Sequence, residues 1–191
     1  ARDVSEALVV RLDARELRPD WTALAFDDSA WSAVTVIGSH PTKPWTGTLA
    51  PDLTRIEESV IAPVAITPKG PGKYVVDLGK IWAGLPRIRF SGGTAGTTVT
   101  MRGGYVLDAA GEIPEGTRAQ STLMEYRAIL SGAPFVFEPV EYLGMRYVQI
   151  DNAPMPVTAD NFSFIVRHTR LDASASSFDS PDATLNAVWA L

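Results

Sequence analysis

Thr97-Thr98-Val99-Thr100-Met101-Arg102 alternates strictly, with Val99 and Met101 on the face opposite Thr98 and Thr100. Successive side chains of an extended chain point to opposite faces, so this run predicts a half-buried β-strand. Immediately before it, Ser91-Gly92-Gly93-Thr94-Ala95-Gly96 has the composition of a hairpin loop. Residues 73–78 and 85–90 read as two further strands, separated by the turn-like Gly79-Lys80-Ile81-Trp82-Ala83-Gly84. Residues 9–13, 123–130, 135–138, 145–151 and 161–168 complete the set, most of them bounded by Gly, Pro or Asn. No amphipathic helix intervenes between them. The pattern predicts an all-β fold, an antiparallel β-sandwich or jelly roll, and excludes a parallel α/β architecture, which needs crossover helices.

Residues 39–71 have a different texture. Pro41, Pro44, Pro51, Pro63, Pro68 and Pro71 interrupt them, and only residues 52–59 have room for a short helix. The apolar run Val60-Ile61-Ala62-Pro63-Val64-Ala65-Ile66 argues for an ordered connector. The expected division is residues 1–62 as the remnant of a smaller β-module plus connector, 63–176 as the sandwich, and 177–191 as the start of a helical domain. In the last stretch Ser180 suits an N-cap, Pro181 the first helical position and Asp182 the positive end of the helix dipole. Leu185, Val188 and Trp189 then form an apolar stripe that needs a packing partner. Together with an N-terminus, Ala1-Arg2-Asp3-Val4, that has neither an initiator Met nor an apolar signal core, this suggests a segment of a longer protein.

Composition narrows the function classes. A chain of 191 residues that is 46% apolar and 20% charged can bury a real core. Its net charge of −5 and the absence of any Lys/Arg run argue against nucleic acid as a partner. No stretch approaches the ~18 apolar residues of a membrane helix. Cysteine is absent, which removes disulfides and thiolate chemistry and leaves the compartment open.

A search for a self-sufficient active site finds little. Asp27-Asp28 and Glu57-Glu58 are adjacent carboxylates, read as a solvated turn and a solvated helix end. His40 and His168 are the only histidines, too few for a zinc site without cysteine, and no Gly-x-Ser-x-Gly elbow accompanies them. The expectation is no catalytic residue and no metal site. Carbohydrate binding is the sharper reading, since sugars stack C–H faces on exposed rings beside polar groups. Trp82, in its glycine-flanked turn, and Trp45, in the connector, are the candidate rings. Residues 108–118 form a long polar loop with Glu115 and Arg118 as candidate polar contacts, ranked first for contact with another domain. Trp21 and Trp31 are expected in the core. Asp151-Asn152 reads as a turn, with calcium or sugar binding as the alternative.

These residues also carry a family resemblance. Phe26-Asp27-Asp28-Ser29-Ala30-Trp31, with Trp21, resembles a signature of small sandwich modules in bacterial glycosidases. Val76-Asp77-Leu78-Gly79, Ala83-Gly84, Gly96-Thr97-Thr98-Val99-Thr100 and Tyr105-Val106-Leu107-Asp108-Ala109-Ala110-Gly111-Glu112 resemble the β-sandwich that precedes the catalytic barrel of bacterial α-L-rhamnosidases. Glu138-Pro139 followed by Tyr142-Leu143-Gly144-Met145-Arg146-Tyr147-Val148 is similar to another run of that family, and Ser177-Phe178-Asp179-Ser180-Pro181-Asp182 with Leu185-Asn186 to the lead-in to its first barrel helix. The chain departs from the family pattern at Lys80-Ile81 and at Met124-Glu125.

The resemblance implies an inverting hydrolysis in a six-hairpin α-barrel, with one carboxylic acid and one carboxylate, both in the barrel, and no organic cofactor. Implied partners are that catalytic α-barrel of the same parent chain and a rhamnosyl glycan. Three readings follow. The chain is the noncatalytic sandwich region of an α-L-rhamnosidase-like glycoside hydrolase, an independent carbohydrate-binding module, or a truncated piece with no activity of its own.

Overall fold

The computed structural model describes residues 9–18, 20–51, 55–119, 121–170, 172 and 174–190. Its strands are β1 (Val9–Asp13), β2 (Ile56–Ile61), β3 (Ala65–Gly70), β4 (Lys73–Phe90), β5 (Thr98–Gly104), β6 (Arg118–Ala119), β7 (Thr122–Leu123), β8 (Glu125–Ile129), β9 (Phe135–Phe137), β10 (Leu143–Asp151) and β11 (Phe162–Thr169), followed by one helix, α1 (Ala183–Trp189). Nine of the strands share one curled sheet in the order β1-β8-β5-β10-β4-β11-β2, with β3 and β9 also paired to β4. All pairings are antiparallel except the parallel contact of β1 with β8. The expected all-β, antiparallel-rich fold is the observed one.

The strand β4 turns this sheet into two layers. Its first part pairs with β3 and β10, and its last part pairs with β11 and β9. Between Asp77 and Trp82 the register against β10 breaks, so residues 78–81 face only one residue, Arg146, of β10. The turn expected over residues 79–84 is therefore corrected to a bulge inside one continuous 18-residue strand. A bulge bends the strand without ending it, which is how β4 serves both layers. Trp82 accordingly lies on a strand and not in a turn.

The core fills the space between the layers. Val76, Val99, Met101, Tyr126, Val148 and Ile150 come from one side and Ile88, Phe90, Phe137, Phe162 and Phe164 from the other. The alternation of residues 97–102 holds, because Val99 and Met101 are buried while Thr98 and Thr100 are half-buried on the outer face. Residues 91–97 are not a hairpin loop, because β10 lies between β4 and β5. They form a connection that passes the edge of an intervening strand.

The N-terminal third differs from its expected reading in three places. The helix proposed for residues 52–59 is a strand from Ile56 onward, paired with β11; residues 52–54 lie outside the described residues, as does the N-terminus Ala1-Arg2-Asp3-Val4. β-branched Ile56, Val60 and Ile61 suit that extended edge. Glu57 and Glu58 are thus not a helix end but strand residues paired with Arg170 and Arg167. Trp21 and Trp31 are 60% and 53% exposed and are not core residues. Trp31 packs edge-on to Phe26 at 5.3 Å, within a local turn that Asp27 closes by accepting from the Ser29 amide.

In the C-terminal helix the N-cap is Asp182, not Ser180. The Asp182 carboxylate accepts from the Thr184 and Leu185 amides, while the Ser180 hydroxyl accepts from the Asp182 amide one step earlier. The apolar stripe folds back only locally, with Trp189 against Phe178 at 5.6 Å, and Leu185 and Val188 stay exposed.

Candidate functional site

Arg102 should point to solvent by the alternation that places Val99 and Met101 inside, yet it is buried. The cover is the loop of residues 108–118. Asp108 turns this loop by accepting from the Ala110 and Glu112 amides, and Ile113 plugs it into the sheet at 1% exposure. Arg102 Nε donates to the Ile113 carbonyl at 3.0 Å, and the Ile113 amide donates to Gln149 Oε1 at 2.5 Å. Gln149 Nε2 donates to Asp151 and Glu112, Lys73 pairs with Glu112 at 3.1 Å, and Arg102 pairs with Asp151. The result is a polar clamp on the outer face of β4, β5 and β10, bordering a cleft of about 390 Å³. Its groups satisfy one another, as buried polar groups must. Asp151 is thereby committed to Arg102 and Gln149, and Asn152 takes the left-handed turn conformation at φ 61°.

The four candidate sugar contacts are not gathered in one place. Glu115 is exposed at the lip of this cleft. Arg118 begins the short β6–β7 ribbon beyond it and donates to the Ser121 carbonyl at 3.1 Å. Trp82 is half-buried on β4 opposite Met145, its indole N–H donating to the Leu78 carbonyl at 3.2 Å and Lys80 Nζ lying 4.4 Å from the ring centroid. Trp45 is 56% exposed in the connector, bridged to Thr42. His40 donates to the Gly47 carbonyl and His168 to that of Thr169, so both rings have local backbone partners. Among the described residues no three His, Asp or Glu side chains come together as a cation site.

A second cleft, of about 610 Å³, lies on the outer face of the other layer. Arg87 and Arg89, two residues apart on β4, share that face, opposite the buried Ile88 and Phe90. The register sets Val136 of β9 beside Arg89 and Ser163 of β11 beside Arg87. Val60 and Val136 line the cleft and stay 60% and 49% exposed. Arg87 Nε donates to Glu138 Oε2 at 2.7 Å, and Arg89 Nη2 donates to the Asp160 carbonyl at 2.9 Å. Sequence reading missed this site, since its residues lie scattered from 60 to 163; the one available signal was the Arg87-x-Arg89 spacing, which puts two cations on one strand face.

On these faces Glu112, Asp151, Glu138 and Asp77 are held in ion pairs with Lys or Arg. Asp77 is held below the ordinary carboxylate range, first by its hydrogen bond with Arg146 and further by the Gly79 amide. A general acid needs the opposite shift. Burial, reinforced by Glu141, pushes the Tyr126 phenol upward.

Comparison with known proteins gives one family. Residues 67–168 match the bacterial alpha-L-rhamnosidase concanavalin-like domain. A curated α-L-rhamnosidase of Streptomyces avermitilis is 32% identical over 159 residues, which are 82% of this chain and 15% of that protein. Among solved structures, the α-L-rhamnosidase from Dictyoglumus thermophilum superposes with a TM-score of 0.71 at 25% identity, covering 86% of this chain and 19% of that one. The Streptomyces avermitilis α-L-rhamnosidase, solved in complex with L-rhamnose, superposes with a TM-score of 0.68 at 30% identity, covering 83% and 15%. The chain thus spans about 15% of the length of the curated relative it matches. Because the matched stretch contains β4, β5, β8, β9 and β10 whole, and with them the clamp and the bulge that shape both layers, this chain belongs to the bacterial α-L-rhamnosidase concanavalin-like domain family.

Proposed function

We propose that this chain is the noncatalytic β-sandwich of an α-L-rhamnosidase-like glycoside hydrolase, which holds a catalytic α-barrel in place and helps form its substrate entrance. The observation that carries the reading is the family match across the sheet itself, residues 67–168. The carboxylates support it. Asp77, Glu112, Glu138 and Asp151 are all engaged by Arg or Lys, whereas inverting hydrolysis needs one protonated and one water-activating carboxyl across a shared space.

In this reading residues 63–176 are the sandwich, with β1 and β2 as strands added from the N-terminal side. The exposed stripe of Leu185, Val188 and Trp189 is a face for the first helices of the barrel. The clamped loop of residues 108–118 presents Glu115 and Arg118 toward the barrel rim, and Trp45 and the free edge of Trp82 are the ring contacts. The parent would release terminal α-L-rhamnose from glycosides using carboxylates and water.

The test is turnover of p-nitrophenyl α-L-rhamnoside by this chain, beside the same assay on a longer chain that includes the segment. The expected result is no turnover by this chain, and in the longer chain a change in KM when Glu115 and Arg118 are replaced by Ala. Turnover by this chain alone overturns the reading.

A further inference from the structure

The four methionines of the chain are not equivalent. Met101, Met124 and Met145 are buried in the core, whereas Met155, in the loop between β10 and β11, is half-buried and packs against the core from its margin. We propose that Met155 is a site of reversible oxidation, and that its sulfoxide unlatches the connection between β4 and β5 from the loop that carries it.

The latch is the sulfur itself. Ser91, the first residue after β4, is exposed and donates to Met155 Sδ twice, from its amide at 3.3 Å and from its hydroxyl at 3.1 Å. Among the described residues these are the only hydrogen bonds that tie residues 91–95 to another segment; the next is from the Gly96 amide to the Leu130 carbonyl. The Met155 loop has anchors of its own, since Asn152 Nδ2 donates to the Thr98 carbonyl and Asn161 Nδ2 to that of Pro156. The two segments are close-packed as well, because a Cβ at Gly93 would lie 2.9 Å from Pro154 Cβ. Met155 is thus held in place, and the start of the β4–β5 connection hangs on its sulfur.

The reaction needs only a peroxide. A lone pair of Sδ attacks one oxygen of hydrogen peroxide, and the S–O bond forms as the O–O bond breaks. The departing hydroxide takes the proton from the transferred oxygen and leaves as water, so sulfur is oxidised by two electrons and the peroxide reduced by two. Susceptibility follows exposure, which selects Met155 over the three core methionines. A thioether is a weak acceptor, and in the sulfoxide the sulfur turns positive and stops accepting at all. The acceptor is then an oxygen one bond further out. On the Ser91 side it has no room between the sulfur and its donors, and on the core side it is a buried polar atom without a partner. The contact with Ser91 is lost in either case.

The experiment exposes the whole chain to limiting hydrogen peroxide, locates added oxygen by peptide mass spectrometry and reads amide exchange on the same samples by NMR. One oxygen is expected at Met155 before any at Met101, Met124 or Met145. Exchange at the Ser91 amide should quicken about tenfold, the worth of one ordinary hydrogen bond, with Val148 in the core unchanged. Methionine sulfoxide reductase should reverse both effects. Met155→Leu, a swap close in volume, should show the faster Ser91 exchange without peroxide and no further response to it. Earlier oxidation of any other methionine, a Met155 sulfoxide that leaves Ser91 exchange unchanged or slower, or one that the reductase cannot repair would each overturn the proposal.

Discussion

Arg146 of β10 grips Asp77 of β4 with both ends of its guanidinium, Nε at 3.0 Å from Oδ1 and Nη2 at 3.1 Å from Oδ2. Both residues sit where the register between the two strands breaks. The Asp77 Oδ1 also accepts from the Gly79 amide at 2.7 Å, inside the bulge. One bidentate pair therefore fixes the place where the sheet folds from one layer to the other, and the geometry suits arginine better than lysine.

The pair makes stability depend on acid. The folded-state pKa of Asp77 is lowered from 3.8, first by Arg146, so its contribution is fully present above the unfolded value and is lost as pH falls through the folded one. Asp77→Asn should therefore be less stable than the parent sequence at pH 7. The difference should shrink as pH drops below 3.8 and vanish once Asp77 is protonated. Urea unfolding of both proteins across this window checks it, and a constant gap at all pH values would refute the assignment.

Gly84 is a different kind of constraint. A Cβ there would lie 2.1 Å from the Ile165 carbonyl oxygen and 2.5 Å from the Phe164 ring, backbone and core atoms that cannot yield. Gly84→Ala should cost at least about 2 kcal/mol, through overpacking between β4 and β11. The midpoint of chemical denaturation reads it directly.

Gln149 holds the loop of residues 108–118 from beneath, at 1% exposure. Replacing it by Ala leaves the Ile113 amide without its acceptor and should cost about 2 kcal/mol. The specific signature is faster hydrogen exchange at Ile113 than at Val148 or Met101 in the core.

The Trp82 indole N–H spans the bulge to the Leu78 carbonyl. Trp82→Phe keeps an aromatic ring and removes that donor, so a loss of about 1 kcal/mol in stability is expected. Urea denaturation of Trp82→Phe beside the parent sequence reads the loss as a lower midpoint.

Local pattern was enough to place most of the strands, though not β2, which overlaps the stretch 52–59 expected to be helical, nor the middle of β4. Val99 and Met101 point inward and Thr98 and Thr100 outward because alternation is a property of the extended backbone, set by residues one and two positions apart. It marked the bends too, since Gly and Asn stand where the backbone takes positive φ, as at Gly79, Gly96 and Asn152. Tertiary structure decided the rest. Arg102 obeys the same alternation yet is buried, because a loop from further along the chain covers the outer face. Residues 79–84 have turn composition, yet pairing with β11 on the far side and the grip of Arg146 keep β4 continuous through them. Trp21 and Trp31 are apolar enough for a core, yet no described layer lies over them. The Arg87–Glu138 cleft joins groups 51 residues apart. Which strands become neighbours, and what covers each face, depends on contacts between distant segments, and a local pattern carries no record of those.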